Sequence, residues 1–212
     1  ATRQAGNVVH AMQILYTPAL KTSRSLPADF LTNQPFESTQ IEGEVYNDFL
    51  LPIDGLYQAS QGVGFLEIQP DRDSVYRRIR LFNQFHDGTI LPSLASTIAV
   101  PLVSGGGAIT YGTDLADING FKIPLDGNGN HLINPYGKIQ KYPVSQVFEA
   151  MAQIKSGQQT NLVLDPKTFE GKIVLLGASA IGLLDVKASS LSPQEPGILL
   201  HAYTISNMLQ QD

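Results

Sequence analysis

The run Lys172-Ile173-Val174-Leu175-Leu176, held between Gly171 and Gly177, constrains this chain more than any other stretch. An apolar run of that length between glycines reads as a buried β-strand. Gly177-Ala178-Ser179-Ala180 follows as a tight turn of small residues. Pro196 then precedes residues 197–209, whose apolar spacing predicts a helix. In open α/β sheets ligands sit outside the carboxyl ends of strands, where small residues let backbone N–H groups approach a polar group.

The remainder fits a mixed sheet. After a short helical tail stopped by Gly6 and Asn7, residues 8–15 predict a strand. Residues 17–50 carry Pro18, Pro27 and Pro35 among many Ser, Thr, Asn and Gln residues. They read as a long irregular insertion with short helices at most, a kind of segment that is usually functional or mobile. Residues 52–60 predict a short helix. Residues 62–69 and 75–82 predict strands joined by the turn Pro70-Asp71-Arg72-Asp73-Ser74. Residues 91–103 predict a helix that tolerates Pro92 in its first turn. Residues 121–125 and 131–134 flank Asp126-Gly127-Asn128-Gly129, a hairpin signal. Residues 143–155 predict a helix stopped by Gly157. The expected class is therefore α/β: a mixed sheet with helices packed on it, in one domain over residues 1–212.

Bulk properties exclude several functions. The chain has 212 residues, 42% hydrophobic and 16% charged, enough to bury a core. Its net charge is −5, and its densest basic group, Arg72, Arg77, Arg78 and Arg80, is diluted by Asp71 and Asp73. A nucleic-acid partner is not expected, since neutralising phosphates needs a basic patch. With no cysteine there is no disulfide framework, thiolate metal site or Cys nucleophile. No stretch approaches the ~20 apolar residues that cross a bilayer.

Few residues form catalytic patterns. Ser179, Asp185 and His201 occur in the order of an α/β-hydrolase triad, but Ser179 lacks the glycine pattern of a nucleophile elbow and the spacing is short. The preferred reading of the turn is close packing. That of His201, which shares a helix face with Ile205 and Met208, is a hydrogen-bonded core residue. Asp71 and Asp73 flank a turn and could bind a cation together, but the preferred reading is that they satisfy turn N–H groups and pair with Arg77 or Arg78, which as strand neighbours point to opposite faces. Asp126-x-Asn128-x-Asn130 begins like a calcium loop, but His131 and Gly137 stand where glycine and glutamate are needed. Tyr136, at a strand end, is placed to line a pocket. No metal site, cofactor motif or catalytic set is expected.

Several motifs occur together in one order. Gly64-Phe65 leads through Pro70-Asp71-x-Asp73 to Arg77-Arg78, and Pro92-Ser93-Leu94-Ala95 follows. Next come Ile123-Pro124-Leu125-Asp126 with Gly129, and Leu132-Ile133-Asn134-Pro135-Tyr136-Gly137. Last come Gly171 to Ala178, Gly182, Asp185 and Pro196-Gly197-Ile198 to His201-Ala202. Over roughly residues 52–210, and more weakly at residues 5–15, the chain resembles the type-two CHASE family of extracellular sensory domains associated with cyclases and histidine kinases.

The resemblance implies a non-enzymatic, extracytoplasmic input domain of a bacterial membrane-bound protein. Its output would be an adenylate, guanylate or diguanylate cyclase or a protein kinase, working as a homodimer on an unspecified small-molecule or environmental stimulus. It points to Asp73, Arg77 and Asp185 as site residues; Tyr136, Ser179 and His201 join them as ligand-binding candidates from their positions. Members of the family usually carry an earlier strand–helix–strand section that is missing here, and Ser74 replaces the glycine usual after the second aspartate.

Overall fold

The computed structural model describes residues 1–15, 25–30, 36–41, 44–178 and 185–211. A one-turn helix, α1 (Thr2–Ala5), ends at Gly6 in the left-handed conformation (φ 74°). It feeds β1 (Val9–Leu15). Three strands follow: β2 (Phe36–Ile41), β3 (Val45–Tyr46) and β4 (Asp48–Leu50). The expectation of an irregular 17–50 segment is thus corrected. β2 runs parallel to β9 (Gly107–Tyr111), and β4 pairs antiparallel with β1. Pairing to distant strands decides these residues, which local composition does not reveal.

After α2 (Asp54–Tyr57), β5 (Gly62–Phe65) pairs in parallel with β1, giving the order β4-β1-β5. The strand expected at 75–82 is two short ones, β6 (Arg78–Ile79) and β7 (Phe82–Phe85). β8 (Ile90–Pro92) takes the residues expected to open the next helix; Pro92 is tolerated because β8 is the edge of β3-β7-β8. Helix α3 (Leu94–Val103) begins later because Ser93 caps it, its hydroxyl accepting from the Ser96 N–H at 3.1 Å. Gly64 lets α3 lie on β5: a Cβ there would stand 2.6 Å from the Leu94 Cα and the Ser93 carbonyl oxygen.

The hairpin expected around residues 126–129 is corrected. β10 (Leu115–Ile118) and β11 (Phe121–Pro124) form it instead, turning at Asn119 (φ 52°) and Gly120 (φ 87°). β12 (His131–Leu132) pairs with β6, not with β11. The 126–129 loop crosses between the sheets, pinned where the buried Tyr111 hydroxyl donates to the Gly129 carbonyl at 2.6 Å. α4 (Val144–Lys155) follows, then β13 (Val186–Lys187), β14 (Glu195–Pro196) and α5 (Ile198–Gln210).

The class is mixed α/β, but the sheet is divided into several small ones. One core joins α3, α5 and the β9–β11 face; a second joins β1, β4, β5 and β7. Residues 172–176 contradict the expected buried strand. They form no strand, and Val174 and Leu176 are 58% and 84% exposed.

Candidate functional site

A cavity of about 1680 Å³ opens between β1, α3, residues 172–178 and the start of α5. Residues 66–69 also line it. It brings together two of the residues expected at the site, Asp185 and His201, with Gly177 and Ala178 of the small-residue turn. Ser179 lies outside the described residues. Asp73, Arg77 and Tyr136 do not line the cavity.

Each wall has a local cause. Gly177 has no side chain because that of Ile198 lies against it, with its Cβ 2.8 Å from where a Cβ of residue 177 would stand. The Asp185 carboxylate packs on Gly197, and the Asp185 carbonyl accepts from the Gly197 N–H at 2.9 Å. An acidic group beside the first turn of a helix interacts favourably with its dipole. His201 is buried on α5, with Nε2 3.3 Å from the Leu66 carbonyl oxygen. A carbonyl only accepts, so Nε2 carries the proton and the neutral ring leaves Nδ1 as an acceptor. Burial lowers the His201 pKa from 6.5 to about 4, against the opposing bond to Leu66, so the ring is uncharged at neutral pH.

Sequence reasoning missed Glu67 and His10. Burial raises the Glu67 carboxyl above the usual carboxylate range. Its Oε1 accepts from the Ile14 N–H at 3.1 Å, whereas Oε2 has no partner among the described residues. The same is true of His10 Nε2 and His201 Nδ1. The three residues that carry these unpartnered atoms all line one mostly apolar cavity. Buried polar groups are ordinarily satisfied, so three such atoms on residues around one cavity are unusual. Only burial reveals them; nothing in their sequence neighbourhoods does.

Asp73 and Arg77 lie in a separate cluster whose members satisfy each other. Arg77 reaches Asp73 at 2.8 Å and Asp71 at 2.9 Å, while Arg78 reaches Asp71 at 2.5 Å and Asp126 at 3.0 Å. The two arginines were expected to diverge; their long arms converge on Asp71. The Arg78 and Arg77 hydrogen bonds hold Asp71 below the usual carboxylate range. Asp126 also accepts from the N–H groups of Asn128 and Asn130, each at 3.0 Å, which occupies the carboxylate a calcium loop would need. Among the described residues no group of three or more potential ligands could hold a metal, and no helix is long and apolar enough to cross a membrane.

Tyr136 is half-buried beside the join of β12 to α5. There Asn207 clasps the backbone of Asn134, accepting from its N–H at 3.0 Å and donating to its carbonyl at 2.8 Å. A second buried network, also unforeseen, holds the Glu195 carboxylate between the hydroxyls of Ser189 at 2.5 Å and Tyr203 at 3.0 Å.

Comparison with known proteins gives one result. The model of the CHASE2 domain family matches residues 2–212, essentially the whole chain. No curated protein and no solved structure matches.

Proposed function

The chain belongs to the CHASE2 domain family, the sensory domains of signalling proteins, and from that membership we propose that it is the extracytoplasmic input domain of a membrane-bound signalling protein with a cyclase or protein-kinase output. One observation supports a ligand-driven mechanism: α5 forms part of the cavity wall. Ile198, Leu200 and His201 line the cavity, while the opposite face of the helix packs into the core shared with α3. An occupant that abuts Asp185, Ile198 and His201 touches α5 directly. It shifts the equilibrium between two positions of that helix by as much as its affinities for them differ.

The test is a thermal-shift screen of the folded protein against small anions, nucleotides, sugars and amino acids. A ligand at a hundredfold excess over Kd adds ~2.7 kcal/mol of apparent stability. The expected result is a concentration-dependent rise in Tm that Asp185→Ala or His201→Leu abolishes. A folded protein that responds to nothing in the panel would count against a chemosensor.

A second reading, response to dimerisation, has its own observation. Val144, Phe148, Met151 and Ile154 form one face of α4, and all four are exposed. A face of this kind marks an interaction site.

A further inference from the structure

Resting on the sensory reading, we propose that α5 is an acid-released helix: proton uptake by two buried histidines, His201 on α5 and His131 on β12 beside it, drives the helix off the strands that hold it. The proton is then a stimulus in its own right.

The two rings hold α5 at two levels. His201 is 2% exposed, and its Nε2 donates to the Leu66 carbonyl just after β5. His131 is also 2% exposed. It lies beside Asn207, whose carboxamide is engaged with the Asn134 backbone. Residues 201 and 207 stand about 9 Å apart along the helix axis and roughly 120° apart around it. One ring therefore closes the β5 side of α5 and the other its β12 side. α3 packs on the helix and brings no charged residue.

Neither ring accepts a charge where it stands. His201 Nδ1 and both nitrogens of His131 have no hydrogen-bond partner among the described residues. A neutral imidazole carries one N–H and one lone pair, whereas the charged ring carries two N–H groups. Protonation in place would leave one donor unpaired on His201 and two on His131, each beside a buried charge. Burial is accordingly the largest influence on both rings, and it favours their neutral form.

The groups around them do not reverse this. The Pro124 carbonyl and the Asn207 carboxamide favour the charged form of His131, but burial outweighs both. Arg78 and Arg80 flank Ile79, the β6 residue opposite His131. Arg78 is neutralised by Asp71 and Asp126, and Arg80 donates to the Asn128 carbonyl. Around His201, the cavity is lined by His10 and by two carboxylates, Glu67 and Asp185, against two lysines, Lys172 and Lys187. From β14, Glu195 faces α5 but is engaged with Tyr203 and Ser189.

Water that enters beside a displaced helix supplies the missing partners. The displaced state therefore takes up protons that the packed state refuses, in the range where a hydrated histidine titrates. Acid acts as a ligand with different affinities for two positions of α5.

The experiment is hydrogen exchange of the 212-residue chain from pH 7 to pH 5, with rates corrected for their intrinsic pH dependence. Expected is a fall of at least ~20-fold in the protection of amides 203–208, the share that His201 alone contributes, while the amides of β9 and β10 keep theirs. His131→Gln and His201→Gln should each shrink the fall and together abolish it. Ring NMR of the unmutated chain gives a reading that needs no variant to fold: both histidines should stay neutral until α5 opens. A ring that titrates near 6.5 with α5 still protected overturns the proposal. So does α5 protection that is flat with pH, and so does an equal loss in every element, which is global unfolding. A ligand response at pH 7 with flat α5 protection would sink the acid release and spare the sensory reading. Acid release with no ligand response would uphold it and remove the chemosensor.

Discussion

His201 is where one residue's chemistry reads out on the whole fold. Its folded pKa, about 4, lies below the unfolded value of 6.5. Below pH 6.5 the unfolded chain takes up a proton that the folded chain refuses until about pH 4. Stability therefore falls as pH drops through this window, by about 3 kcal/mol in full. Glu67 acts in the opposite sense: its raised pKa costs stability as pH rises above the ordinary carboxylate range. The comparison that isolates the histidine is His201→Gln, which keeps a donor for Leu66. Urea unfolding from pH 7 to pH 4 should show a shallower loss in the variant than in the parent; parallel curves would place the titration elsewhere. The sequence already set His201 on an apolar face, but its carbonyl partner lies 135 positions away and was not legible.

At the scale of elements, the join between Asp185, just before β13, and α5 depends on a glycine. Gly197 has ordinary helical dihedrals (φ −56°), so backbone freedom is not its purpose. A Cβ there would run into the Asp185 carboxylate. Gly197→Ala should cost about 1–3 kcal/mol in urea unfolding. In an Asp185→Ala background the same change should become neutral or favourable, because alanine is the better helix former by ~0.5–1 kcal/mol. Failure of the sign to improve would show that the carboxylate is not the obstacle. Other elements show what local signals leave out. Asn119-Gly120 and Asp126-Gly127 are both turn dipeptides, and only the first closes a hairpin. The second sends the chain to β6, a choice made by where a partner strand stands and not by turn chemistry.

For the molecule as a whole, the exposed face of α4 makes the dimer reading testable. Phe148 is 64% exposed, so Phe148→Glu should leave monomer stability within about 0.5 kcal/mol. If α4 joins two copies about a two-fold axis, that change should raise the dimer dissociation constant at least ~10-fold in sedimentation equilibrium. An unchanged constant would remove α4 from the interface.

The sequence by itself determined the mixed α/β class, strand β1, helices α4 and α5 to within a residue or two, and the family. Each of these rests on periodicity, on glycine and proline stops, or on the order of motifs, all of which are local along the chain. Only the tertiary structure decided that residues 36–50 contain strands, that β12 joins β6, and that Asp73 and Arg77 satisfy each other away from the cavity. It alone decided that His10, Glu67 and His201 share one cavity. Burial and strand pairing are properties of pairs of distant segments, and no window along one segment contains its partner.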